Sequence, residues 1–141
     1  MSEGISIRVI GNLSLLPEDL KKLIAEATLL TKDNKKAILN VAFSYTSRDE
    51  ITNSIKTIVN GVNENNIKVD DIDEDLISQC LYTNMSPNPD LLIRTSGEVR
   101  LSDFLLWQCS NAQICFMDVL WPNFTYGIYL AVFLSIRDVM V

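Results

Sequence analysis

Four short apolar runs, separated by stretches of helical periodicity, limit what this chain can fold into. Ile5-Ser-Ile-Arg-Val-Ile10 alternates and is β-branched, the pattern of a strand. Residues 37–43 are almost continuously apolar, as a strand buried on both faces is. Residues 91–93 and 114–116 read as two further strands. Between the first two runs, Leu20, Leu23, Ile24, Ala27 and Leu30 recur at helical spacing behind Pro17 and two acids. Ile51, Ile55, Ile58, Val59 and Val62 mark a second helix, with Ser47 and Glu50 at capping-box spacing. A short acidic helix over about 73–80, a helix over 102–108 and a last one over about 126–138 complete the order.

Strands alternating with helices in this way predict an α/β fold, a mostly parallel sheet with helices on both faces. The length fits one domain over 1–141, and no repeat, low-complexity tract or linker divides it. The formal charge of −6 argues against non-specific nucleic-acid binding, since no Lys/Arg excess exists to neutralise phosphates. The chain has no histidine, which excludes His-based triads and His metal sites within it. Cys80, Cys109 and Cys115 form no CxxC pair and read as buried thiols. The most apolar stretch, 114–134, is interrupted by Asp118, Pro122 and Asn123, too broken to span a membrane.

The chemistry concentrates in Asp90-Leu-Leu-Ile-Arg94-Thr-Ser-Gly97-Glu98-Val-Arg100-Leu-Ser102-Asp103. An apolar strand ends in Arg94, a Thr-Ser-Gly turn follows, and Arg100 and Ser102 come just before the helix expected over 102–108. In parallel sheets, ligands sit beyond the carboxyl ends of the strands, which is where Arg94 lies. Two guanidinium groups and the free N–H groups of a helix start suit a diphosphate. By spacing alone, Arg94 and Glu98 read equally well as a structural ion pair.

Residues 94–108 are similar to the C-terminal signature of the cis-prenyltransferases, which extend an allylic diphosphate with isopentenyl diphosphate in cis geometry. More narrowly, they resemble the eukaryotic dehydrodolichyl diphosphate synthase branch. Val9-Ile-Gly-Asn-Leu-Ser-Leu-Leu-Pro, Leu39-Asn-Val-Ala-Phe-Ser-Tyr-Thr-Ser-Arg48, Cys80-Leu-Tyr-Thr-Asn84 and Val119-Leu-Trp-Pro122 agree with that branch, so the resemblance covers nearly the whole chain. It implies a cis-prenyltransferase-like fold without its N-terminal strands. It also implies that the Arg-x5-Arg-x-Ser set, here Arg94, Arg100 and Ser102, binds the diphosphate of isopentenyl diphosphate. Glu98 is expected to hold an arginine in place or to help with Mg2+, the cofactor of the complete enzyme. The bacterial Glu of the Mg2+ site is matched by Gln113, a poorer ligand.

The family's Met-Asp-Gly-Asn segment, which carries the Mg2+-binding Asp and the allylic diphosphate site, is absent from the sequence. So is its Phe-Ser-x-Glu-Asn-Trp loop. The expectation is a distal portion of such an enzyme, whether short isoform, truncated gene model or degenerate copy, with negligible turnover alone. The alternative is a non-catalytic paralogue that binds diphosphates or a partner. The resemblance further implies a Nogo-B-receptor-like partner subunit and peripheral residence on the cytosolic face of the endoplasmic reticulum membrane.

Other segments carry plainer readings. Residues 70–75 are acidic but lack the spacing of an aspartate-rich Mg2+ motif, and read as a solvated turn before a helix. Tyr45 to Arg48 reads as a helix start with a packing role. Phe104, Leu105, Leu106 and Trp107 read as core, and Phe116, Trp121 and the last helix as partly interface, by resemblance. Missing N-terminal strands are expected to leave apolar sheet faces exposed.

Overall fold

A computed structural model describes residues 3–137, and the chain forms two compact units, Met1–Pro87 and Asn88–Val141. The first contains strand β1 (Ile5–Ile10), helix α1 (Glu18–Thr31), strand β2 (Ala37–Ala42), helix α2 (Ser47–Asn63) and the short helix α3 (Glu74–Gln79). The second contains β3 (Leu91–Arg94), β4 (Gln113–Phe116) and α4 (Tyr126–Arg137). This is the α/β class read from the alternation.

In the first unit β1 and β2 pair in parallel, from Ile5 opposite Ala37 to Ile10 opposite Ala42, with α1 as the crossover. The connection is closed at its end by Thr31, whose Oγ1 accepts from the Ile7 N–H at 3.0 Å. The β2 run was expected to be buried on both faces. Among the described residues it is not: Ile38 is 49% exposed and Leu39 51%. Continuous apolarity reports what a strand could bury; the elements described here do not cover it.

Helix α2 also departs from its expected stripe. Ile55 and Val59 lie exposed, whereas Ser47, Glu50, Ser54 and Ile58 are buried, at intervals that fall on one face. The Ser54 hydroxyl donates to the Ile77 carbonyl of α3 at 3.0 Å, so a small polar group ties the two helices, on the same face of α2 as the buried Ile58. The cap is Thr46, whose hydroxyl oxygen accepts from the Asp49 N–H at 3.2 Å. Ser47 and Glu50 do not form the expected capping box but go inward. Helix α3 starts as read, with Asp73 accepting from the Leu76 N–H at 2.8 Å and exposed acids around it.

In the second unit β3 and β4 pair in parallel, from Leu91 opposite Gln113 to Arg94 opposite Phe116. The helix expected over 102–108 is absent; the segment is a series of turns. Ser102, Asp103 and Leu105 have φ of 52°, 62° and 48°, left-handed values that a right-handed helix cannot contain. Helix α4 begins at the expected position, and Asp138, its expected last residue, lies outside the described residues. Cys109 is buried, while Cys80 and Cys115 are only half-buried; all three thiols are free.

Candidate functional site

The site is built on the end of β3 and the turns that follow. After Arg94 the chain reverses through Ser96 and Gly97, at φ of 74° and 71°. Backbone bonds pin that turn to the segment after β4: Ser96 N–H donates to the Val119 carbonyl and Gly97 N–H to the Met117 carbonyl, both at 2.9 Å. A Cβ at Gly97 would lie 2.4 Å from an Asp118 carboxylate oxygen, so the position is both conformationally and sterically suited to glycine.

The turn returns the chain to Arg94. Its Nη1 donates to the Ser102 hydroxyl oxygen at 2.7 Å and also to the Arg100 carbonyl. Because the hydroxyl accepts from Arg94, its own proton is left to donate to a ligand. Arg100 Nη1 pairs with Glu98. The ion pair with Glu98 thus goes to Arg100, and not to Arg94 as the structural alternative from spacing had it. Side-chain exposures of 61% for Arg100 and 46% for Glu98 make it a surface pair that another anion can displace.

Arg94, Arg100 and Ser102 line one cavity of about 310 Å³, whose remaining walls are Leu92, Ile93, Leu101 and Phe104. The expected helix N-terminus is not there to add N–H donors, because 102–108 is not helical. The polar groups that line the cavity are two guanidinium groups and one hydroxyl, a donor set chemically suited to an anion. Gln113 is not part of this group: it pairs with Leu91, three positions from the Arg94 end of the ladder, about 10 Å along the strand. Among the described residues, no three His, Cys, Asp or Glu side chains come together to hold a metal ion. They do not by themselves fit the Mg2+ site implied by resemblance. Phe104 and Leu106 are exposed rather than core. Burial holds the Cys109 thiol above its ordinary pKa, which keeps it protonated and chemically quiet.

Sequence reasoning missed a second polar cluster, in the first unit. Glu50, fully buried, accepts from the Tyr45 hydroxyl at 2.5 Å and from the Thr83 N–H and hydroxyl at 3.1 and 3.2 Å. Beside it, Asp49 accepts from the Tyr82 hydroxyl at 3.0 Å and the Asn12 amide at 3.4 Å. Burial, then the hydrogen bond to Asp49, then the charges of Asp49 and Glu50 push the Tyr82 phenol up to about 12. The sequence signal was the pair of segments 45–50 and 80–84; nothing in their spacing indicates that they meet.

Residues 1–136 match the family model described as "Putative undecaprenyl diphosphate synthase". The dehydrodolichyl diphosphate synthase complex subunit of Homo sapiens is 55% identical over 123 residues, 87% of this chain and 37% of that protein. An isoprenyl transferase of Clostridium perfringens is 45% identical over 121 residues, 86% of this chain and 48% of that protein. The crystal structure of lavandulyl diphosphate synthase from Lavandula x intermedia, in complex with dimethylallyl diphosphate, superposes with a TM-score of 0.93 at 36% identity. That match covers 97% of this chain and 59% of the other. The chain therefore spans less than half the length of these two curated relatives. Among the described residues, no helix is long and apolar enough to cross a membrane.

Proposed function

The chain belongs to the undecaprenyl diphosphate synthase family of cis-prenyltransferases, and from that premise we propose that it supplies the isopentenyl-diphosphate half-site of a polyprenyl diphosphate synthase. The observation that carries this reading is the convergence of Arg94, Arg100 and Ser102 on one cavity.

The chemistry follows from those three residues. A diphosphate presents several anionic oxygens, and charge-assisted hydrogen bonds from guanidinium groups are about twice as strong as neutral ones. Arg94 is already oriented by Ser102 and the Arg100 carbonyl, so little side-chain entropy is lost when it grips the ligand. Arg100 exchanges the single carboxylate of Glu98 for the more highly charged diphosphate. The Ser102 proton donates to a third oxygen. Leu92, Leu101 and Phe104 offer apolar surface to the five-carbon tail. The role of the site is to hold isopentenyl diphosphate while its double bond attacks an allylic partner, with Arg94 and Arg100 fixing the anionic end.

Mg2+ is assigned to the complete enzyme and not to the described residues, and no step above passes through it. The human relative is named as the subunit of a complex. By analogy this chain works with a second subunit, of the Nogo-B-receptor kind, and reaches the endoplasmic reticulum membrane as a peripheral component of dolichol synthesis.

Isothermal titration of the purified chain with isopentenyl diphosphate tests the reading. Saturable binding that weakens by about tenfold or more in both Arg94→Ala and Arg100→Ala supports it. Binding that neither substitution weakens overturns it.

A further inference from the structure

We infer that Glu98 is an exchange partner for Arg100. It occupies that guanidinium in the empty site, gives it up to an incoming diphosphate, and takes it back as the diphosphate leaves. The inference rests on the isopentenyl-diphosphate reading of the Arg94 site and gives Glu98 a part in that site's working.

The two arginines of the site are held in different ways. Arg94 has neutral partners, the Ser102 hydroxyl oxygen at 2.7 Å and the Arg100 carbonyl. A guanidinium carries five N–H donors, so an anion can bind Arg94 without displacing either partner. Arg100 has a charged partner, the Glu98 carboxylate. That carboxylate puts a negative charge beside the guanidinium an anionic ligand has to reach, and the two anions repel unless Glu98 withdraws. Withdrawal is a side-chain movement. The turn at Ser96 and Gly97 is pinned by its backbone bonds to Val119 and Met117, and Glu98 follows it directly. Glu98 does not line the cavity, whereas Arg94, Arg100 and Ser102 do, so the cavity keeps its walls when Glu98 turns away. Arg94 is therefore the fixed anchor of the site, and Arg100 is its exchangeable arm.

The proposed reaction gives this exchange a purpose. A new carbon–carbon bond joins the isopentenyl double bond to the allylic carbon. Inorganic diphosphate leaves from the allylic partner, and one proton leaves the isopentenyl unit. The lengthened chain thus keeps the diphosphate that Arg94 and Arg100 hold, and that diphosphate has to leave before another isopentenyl diphosphate can enter. Two arginines with no competing anion would hold it tightly. A carboxylate two residues from Arg100 competes for one of them, at a concentration set by the turn and not by solution. The ligand wins on entry because it carries more charge than one carboxylate. Glu98 lowers the cost of its departure by leaving Arg100 paired.

The test is isothermal titration of the 141-residue chain and its variants with isopentenyl diphosphate. Glu98→Gln removes the competing charge and is expected to tighten binding by about three- to fivefold, the worth of an exposed ion pair. Glu98→Ala should gain as well, and it carries the test if Glu98→Gln fails to fold. A residue that merely held Arg100 in place would give a loss in both. In an Arg100→Ala background the gain from Glu98→Gln should vanish, because no guanidinium is left to exchange. Unchanged or weaker binding in both Glu98 variants overturns the inference. So does a gain that persists in the Arg100→Ala background, which would make Glu98 a source of general repulsion. Binding indifferent to both Arg94→Ala and Arg100→Ala overturns the reading of the site itself, and this inference with it.

Discussion

Arg94 donates to the hydroxyl oxygen of Ser102 at 2.7 Å, so the end of a strand and a turn eight residues later are held together at the cavity proposed to bind the diphosphate. The bond does two things. It fixes the guanidinium without using up its other donors, and it leaves the Ser102 proton able to donate elsewhere. Arg94→Ala removes a charged donor, and isopentenyl diphosphate affinity falls by about ten- to a hundredfold, equivalent to about 1.5–3 kcal/mol. Arg94→Lys recovers only part of this, because an ammonium group lacks the planar fork. Ser102→Ala costs less than Arg94→Ala. Titration calorimetry on the three variants checks that ranking.

The Gly97 turn sets where Arg100 arrives. At φ of 71°, alanine pays the left-handed penalty of about 1–2 kcal/mol. The Asp118 carboxylate must also swing away from the new Cβ. Gly97→Ala is therefore expected to lower unfolding stability by about that amount and to weaken diphosphate binding as well. Urea denaturation and titration on one preparation separate the two effects. Unchanged stability would show that the turn relaxes at no cost.

The strands and the helices α1 to α4 were legible because each is announced by local chemistry: short apolar runs, helical spacing, or acids or Pro at a helix start. The 102–108 segment was not. Its Phe-Leu-Leu-Trp-Gln run has helical composition, but Ser102 and Asp103 adopt left-handed backbone that competes with the helix. The same failure removed the expected helix N–H groups from the site while leaving its side-chain donors in place. In α2, periodicity located the helix and its buried Ile58, but not the polar residues Ser47, Glu50 and Ser54 that are buried on the same face, and it placed the exposed Ile55 and Val59 inward. Small polar side chains allow a closer approach than isoleucine does, and the burial of Glu50 is decided by Tyr45 and Thr83, the latter 33 positions away.

Glu50 is where the first unit is most sensitive. Removing its carboxylate takes away an acceptor from the Tyr45 hydroxyl and from the N–H and hydroxyl of Thr83. Glu50 is fully buried while the donor residues are half-buried, so each lost hydrogen bond costs up to about 1–3 kcal/mol, less whatever water can enter the space left. Glu50→Ala should destabilise the chain by about 2–4 kcal/mol. Glu50→Gln keeps an acceptor oxygen for part of the set and should cost less. Denaturant midpoints of both variants test this, and a loss below about 0.5 kcal/mol for Glu50→Ala would show that the cluster is solvated.

Alkaline pH should act through Tyr82. Its phenol is raised from 10.0 to about 12, first by burial, next by its hydrogen bond to Asp49, then by the charges of Asp49 and Glu50. The folded state thus holds the proton more tightly than the unfolded state does. The stability linked to this group is fully present below pH 10 and is lost as pH rises through about 12, because the unfolded chain ionises first. An ultraviolet phenolate titration of the folded protein should show one tyrosine ionising near the top of that window. In Tyr82→Phe that component should vanish. In Asp49→Asn it should move down toward 10 without reaching it, since burial is the largest cause and remains. A full return to 10 in Asp49→Asn would mean that the carboxylate alone, and not burial, governs the shift.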